Sequence, residues 1–207
     1  MPTIRPFRPE DLDALYAISL ATGFEGGDAS HLYDDPKVMG HIYSAPYALL
    51  APELALVAED RHGVAGFAVG AIDTPGWERR LERDWWPALR RSYTAPSEAQ
   101  RESWTPDQRR AFMIHHPAPT PPAVVRTYPA HLHMNLLPRL QGQGVGSRLF
   151  DDWRAIAAGC GARALHVGVN RANVRAIRFW TKLGFSDLTV DGVPEGRTVW
   201  MGRQQVG

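Results

Sequence analysis

Hydrophobic residues recur along this chain with two spacings, one of two residues and one of about 3.6. Thr3–Phe7 reads as a short strand. Arg8-Pro9-Glu10-Asp11 then opens a helix that puts Leu12, Leu15, Tyr16 and Ser19 or Leu20 on one face, with proline and acids where a first turn accepts them. Residues 22–35 are polar and glycine-rich and read as a loop; helical pattern resumes from Pro36 to about Leu50, bent or divided by Pro46. Leu54–Glu59 and Val64–Asp73 flank the turn signal Asp60-Arg61-His62-Gly63 and predict a hairpin. Gly66 and Gly70 in its second strand predict bulges or close backbone approach.

Residues 74–129 exceed a simple connection, and a long ordered insertion in a compact domain is usually functional. Trp77–Arg91 predicts an amphipathic helix, Thr105-Pro106-Asp107 starts another that runs to about Ile114, and residues 115–122 read as an extended proline-rich segment. The tryptophans read first as packing, since an aromatic stripe at helical spacing is core more often than binding surface. Next, His131, His133 and Asn135 alternate with Leu132, Met134 and Leu136, a strand with two different faces that Pro138 stops. Gly142, Gly144 and Gly146 follow, and Val145, Leu149 and Ile156 recur at helical spacing beyond them. Ala164–Val169 reads as a further strand, and Asp187–Val190 and Arg197–Met201 as the last two, joined across residues 191–196. The pattern predicts one α+β domain over residues 1–207, with a mixed, mostly antiparallel sheet flanked by helices and a helical insert at 74–129.

Composition narrows the possible partners. At 207 residues and 44% hydrophobic content the chain suits one domain of ordinary size. A net charge of +1 gives no general attraction to nucleic acid or anionic membrane. Arg79, Arg80, Arg83, Arg90 and Arg91 interleave with Glu78, Glu82 and Asp84, so they read as a solvated helix face and not as a nucleic-acid surface. Cys160, the single cysteine, excludes an internal disulfide and a cysteine metal cluster, and reads as a buried, inert thiol at a helix end. His115-His116 lacks companion ligands, so no metal is expected. No stretch reaches the roughly 18 to 20 apolar residues that a span requires, and the N-terminus runs directly into charge. A cytoplasmic protein with no membrane partner is expected; a homodimer stays open.

The order strand, glycine turn, helix makes an anion site, because first-turn amides lack internal partners and the helix dipole favours negative charge there. Neither Gly-Lys-Ser/Thr nor G-x-G-x-x-G fits Gly142, Gly144 and Gly146. What remains is Gln-x-x-Gly-x-Gly at Gln141, Gly144 and Gly146, which resembles the acyl-CoA loop of the GNAT N-acetyltransferases. Asn173-Val174-Arg175-Ala176-Ile177-Arg178-Phe179-Trp180-Thr181-Lys182-Leu183-Gly184-Phe185 resembles the second signature of that family, in the right order and at the right separation. Gly66–Asp73, Trp86-Pro87, Tyr128–Met134 and Phe179–Gly184 are more closely similar to the acetyltransferase-like C-terminal domain of O-GlcNAcase and its free-standing bacterial relatives.

The resemblance implies a GNAT fold and an acetyl-CoA-dependent N-acetyltransferase acting on an amine that the family does not define. It places pyrophosphate on the amides of Gln141, Gly142, Gln143, Gly144, Val145, Gly146 and Ser147, and pantetheine along Met134, Asn135 and Leu136, with Asn173 beside the arm. The insert is then expected to cover the cofactor cleft and form much of the acceptor pocket. An alkylamine near pKa 10 needs a proton acceptor; His133 and then His131 are the candidates on the central strand, with Asp73, Asp34 and Tyr128 in reserve. No acid lies in residues 128–137. Trp180 stands where many GNAT enzymes carry a tyrosine that protonates the leaving thiolate. An indole cannot serve as that acid, so Trp180 is expected to wall the thioester pocket. A module that binds acetyl-CoA as a sensor or scaffold, without catalysis, is the alternative.

Overall fold

The computed structural model describes residues 2–189 and 196–204. Seven strands among them form one sheet: β1 Thr3–Pro6, β2 Ala55–Asp60, β3 Gly63–Ala71, β4 Ala130–Leu136, β5 Ala164–Asn170, β6 Ser186–Asp187 and β7 Thr198–Gln204, in the order β1-β2-β3-β4-β5-β7-β6. Only β4 and β5 run parallel. The mixed, mostly antiparallel sheet expected from the pattern is therefore present.

The period of two in each strand sorts its residues onto two cores. Leu56, Ala58, Ala68, Ala130 and Leu132 face a core with α8 (Val145–Gly159) and α9 (Val174–Lys182), built around Leu149, Phe150, Trp153, Trp180 and Phe185. Val57, Phe67 and Val69 face the other core, with α1 (Leu12–Ala21), α2 (Val38–Tyr43), α3 (Ala45–Leu50) and the helices of the insert. Each face is covered, so a buried sheet is stable on both sides. His131 and His133 point to the second face.

The hairpin of β2 and β3 forms as read, and its glycines prove to be close approaches. A Cβ on Gly66 would lie 2.2 Å from Leu136 Cδ2, and one on Gly70 would lie 2.2 Å from His131 O and 2.6 Å from the Trp153 ring. These glycines let β4 and α8 close on β3.

Several helix boundaries differ from the pattern, and proline explains one of them. The helical stretch over 36–50 is divided at Ser44 into α2 and α3, with Pro46 inside the first turn of α3, the division expected of that proline. Trp77–Arg91, expected as one helix, is two, α4 (Thr74–Asp84) and α5 (Trp86–Ser92), because Pro87 has no N–H to give to the preceding turn. The insert continues with α6 (Pro106–His115), capped by a Thr105–Gln108 box, and the extended segment ends sooner than expected in α7 (Pro122–Thr127). Towards the C-terminus, β6 begins at Ser186 and is shorter than the expected Asp187–Val190; most of the turn expected at 191–196 lies outside the described residues. Cys160 corrects another expectation, being exposed. α8 ends at Gly159, and the chain turns away through Gly161 at φ +96°, taking the thiol out to solvent.

Candidate active site

The sheet opens where its two parallel strands part. β4 pairs with β5 only at Ala130–Leu165 and His131–His166, whereas its ladder with β3 continues to Leu136. Beyond His131, one edge of β4 is therefore left without a strand. Leu137 N bonds to Ala65 O across the β3 side, so by alternation the amides of Met134 and Leu136 point into the gap.

A cleft of about 660 Å³ occupies that gap, lined by Met134, Asn135 and Leu136 of β4, by Gln141, Gly142, Gly144, Gly146 and Ser147, by Asn173 just ahead of α9, and by Phe179 and Trp180 within it. At its end the chain passes through a 3-10 turn (Pro138–Leu140) and enters α8. Gly142 and Gly144 adopt φ of +73° and +75°, left-handed values that glycine reaches without strain. Arg148 N is bonded to Gly144 O at 3.1 Å, so the amides of Val145, Gly146 and Ser147 ahead of it have no intrahelical partner. Free donors and the positive end of a fifteen-residue helix meet at the mouth of the cleft.

Polar side chains fix this end. Gln141 Nε2 donates to Leu136 O at 2.6 Å, and Gln141 Oε1 accepts from Arg175 Nη1 at 2.7 Å. Arg175 Nη2 reaches Gly26 O at 3.2 Å in the loop after α1. Asn173 caps α9, its Oδ1 accepting from Ala176 N at 3.0 Å, and lines the cleft as well.

A second cavity of about 930 Å³ adjoins the cleft and shares Thr22, Gly26, Asn135 and Asn173 with it. The partition is pinned by Asn135 Nδ2 donating to Thr22 Oγ1 at 2.6 Å, while Thr22 donates to Ile18 O. Trp77, Glu78, Leu81, Trp86, Arg110, Met113 and residues 117–120 of the insert form much of its wall, and His131, His133 and His166 form its floor on the sheet. Trp77 and Trp86 are buried as packing residues and face this cavity too; Trp77 stacks on Tyr47 with centroids 4.5 Å apart.

Under the cavity runs a chain of neutral hydrogen bonds whose direction follows from counting protons. Thr74 Oγ1 donates to Pro129 O at 2.7 Å, so toward His131 Nδ1, 2.7 Å away, it accepts. His131 therefore carries its proton on Nδ1, and its Nε2 accepts from Tyr47 Oη at 2.8 Å. Tyr47 has then spent its one proton, so His133 Nε2 donates to Tyr47 Oη at 3.2 Å. His133 Nδ1 is left as a free lone pair.

Burial keeps this group of rings uncharged. It pushes His133 down to about 4, with His166 adding to the shift, and holds His131 well below the usual imidazole range, His133 and His166 contributing in turn. His166 is pushed down to about 4 by burial, against backbone hydrogen bonds that favour its charged form. The Tyr47 phenol is raised, chiefly by its burial.

All the residues expected at the cofactor line the cleft except Gln143 and Val145. Gln143 is exposed and bonds to Arg139 O, and the Val145 side chain is buried beneath the turn. Trp180 walls the cleft from below, edge-on to Phe150, Phe179 and Phe185. The reserve residues fall elsewhere: Asp73 caps α4 through Gly76 N, the backbone of Asp34 bonds to Asp107, and neither they nor Tyr128 line either of these two cavities. Tyr47, Thr74, Thr22 and Arg110 were not found from sequence. Tyr47, Thr74 and Arg110 lie in helices and Thr22 just after α1, all far in sequence from the residues they meet across the site.

Residues 12–185 match the acetyltransferase (GNAT) family, and the chain belongs to that family. The solved structure of SsHAT is similar over 98% of both chains, with 34% identity and a TM-score of 0.87. A GNAT-superfamily phosphinothricin acetyltransferase from Sinorhizobium meliloti, solved in complex with AcCoA, shares the fold at 16% identity and a TM-score of 0.57, over 98% of this chain and 88% of that one. Protein O-GlcNAcase of Rattus norvegicus is 22% identical over 200 residues, which cover 93% of this chain and 21% of that protein. The chain thus spans about a fifth of the length of this relative.

Proposed function

We propose that the chain is an acetyl-CoA-dependent N-acetyltransferase that acetylates an amine in the larger cavity. The observation that carries the reading is the parting of β4 and β5 directly ahead of the glycine turn. It leaves a row of amides for a peptide-like pantetheine arm and the α8 N-terminus for a diphosphate. The family match and the AcCoA held by a protein of the same fold support it.

In this reading the thioester carbonyl lies at the partition between the two cavities. The amine nitrogen attacks the carbonyl carbon, and the Met134 or Leu136 amide stabilises the oxyanion, a kind of contact worth about 3 to 4 kcal/mol in enzymes. The C–S bond then breaks and coenzyme A leaves as a thiolate that takes its proton from water, since the Trp180 indole N–H is far too weak an acid to supply it. His133 Nδ1 accepts the proton of the attacking nitrogen. A base near pKa 4 cannot strip an alkylammonium, so the acceptor must arrive as the free amine; after attack the nitrogen is acidic enough to give up its proton to the imidazole. His131, with both nitrogens engaged, and Tyr47 position His133. The insert covers the acceptor.

The reading is tested by following thiol release from acetyl-CoA with a library of amines. Turnover that His133→Ala lowers by about 10²- to 10⁴-fold, with coenzyme affinity kept, is expected for a general base. Tight coenzyme binding without transfer to any amine would leave only a binding module.

A further inference from the structure

We propose that the acceptor amine also carries a carboxylate, and that Arg110 is its anchor; this deepens the transferase reading and rests on it. Arg110 lies on α6, half-buried in the wall of the cavity that His133 and Tyr47 also line. Its Nε donates to Tyr33 Oη at 3.0 Å and its Nη1 to Tyr43 Oη at 3.1 Å, with Met113 Sδ 3.1 Å from Nη1. The guanidinium stands 5.8 and 5.7 Å from the Tyr33 and Tyr43 ring centroids. All of these partners are neutral.

Among the described residues no carboxylate pairs with Arg110, whereas Arg5 and Arg90, also partly buried, meet two and one respectively. A guanidinium cannot shed its proton, so withdrawing it from water without an anion is costly. The acids of the same cavity are engaged elsewhere: Glu78 accepts from Thr120 N at 2.7 Å, and Glu82 holds Arg90. Glu25 sits on an exposed loop residue. Of the half-buried charged side chains on that wall, Glu78 is tied to a main-chain amide, whereas Arg110 meets only tyrosine hydroxyls and a thioether and keeps Nη2 as a donor left over.

Its position sets the spacing of the ligand. The Tyr43 ring lies 5.6 Å from the His133 ring, and the Tyr43 hydroxyl touches Arg110, so one tyrosine side chain separates the proton acceptor from the anchor. A molecule with its amine at His133 Nδ1 and its carboxylate at Arg110 Nη2 spans that length, with Trp77, Trp86 and Met113 along its methylenes. A short ω-amino acid fits. A lysine side chain on a protein brings no carboxylate at that distance.

The test compares γ-aminobutyrate and ε-aminocaproate with their primary amides as acceptors, and titrates the same compounds calorimetrically into protein loaded with coenzyme A. Wild-type protein is expected to favour at least one acid over its amide by about tenfold to a hundredfold in kcat/KM, entering through KM, as loss of a charged hydrogen bond implies. In Arg110→Gln the ratio should fall to about one, and Arg110→Lys should restore part of it. Equal use of acid and amide by the wild type, or neither being bound nor acetylated, overturns the anchor, as does a preference that survives Arg110→Gln. If the acids bind through Arg110 but no amine is ever acetylated, the transferase reading fails while the anchor stands.

Discussion

At the scale of single residues, the site depends on where protons sit in the chain from His133 through Tyr47 and His131 to Thr74. Tyr47→Phe removes the donor to His131 Nε2 and the acceptor of His133 Nε2–H, leaving two buried ring nitrogens unpaired. Denaturant unfolding should show a loss of about 1 to 3 kcal/mol, and kcat should drop while coenzyme affinity holds; an unchanged kcat would remove Tyr47 from the positioning role. The depressed histidines also set a pH window. Above about 6.5 they are neutral whether folded or unfolded, so stability is flat. Between 6.5 and about 4 the unfolded chain takes up protons that the folded one refuses, so stability falls as pH falls, on the order of 3 kcal/mol each for His133 and His166. Urea midpoints measured from pH 7.5 to 4.5 should drop across that interval, and a constant midpoint would mean the rings take up protons as readily folded as unfolded. Above that window the rate of transfer should climb towards the pKa of the acceptor amine, since His133 stays competent throughout. The alternation around His131 and His133 made their shared face legible in sequence. Their partners were not legible, because Tyr47 and Thr74 lie 84 and 57 residues away from His131.

At the scale of elements, the strand, glycine turn and helix over residues 130–159 could be read in full, since period and glycine chemistry agree there. Helix interruptions were legible in part, the one at Pro46 being expected and the one at Pro87 not. Pro46 and Pro87 each break the chain at the residue before the new helix, Ser44 and Trp85, and a hydrophobic pattern continues through such a break. Close packing was half legible: Gly70 announced an approach without naming Trp153 as what approaches. Gly70→Ala would drive a methyl into His131 O, a backbone atom that cannot swing aside, and should cost about 2 to 3 kcal/mol by thermal or urea unfolding. A Cβ on Gly144 meets nothing within 4 Å, but its φ of +75° opposes any side chain, and most of all a branched one. Gly144→Val should therefore fold and lose coenzyme affinity by tenfold or more, as the turn relaxes and its amides swing out of line.

At the scale of the whole molecule, two cavities meet on one sheet. The cleft between β4 and β5 belongs to the part of the chain that carries the family's motifs, while the larger cavity is closed by the insert, whose helices lie on the opposite face from α8 and α9. Thr22, Asn135 and Asn173 stand between them, which is where a group handed from one to the other has to pass. Among the described residues, no helix is long and apolar enough to cross a membrane. The account stands on the coenzyme filling the cleft with its diphosphate on the α8 amides, and calorimetric titration of acetyl-CoA into the wild-type chain and Gly144→Val tests this most directly. Saturable one-to-one binding by the wild type, weakened at least tenfold in the variant, is the predicted result; no heat of binding in the wild type, or equal affinity in both, would contradict it.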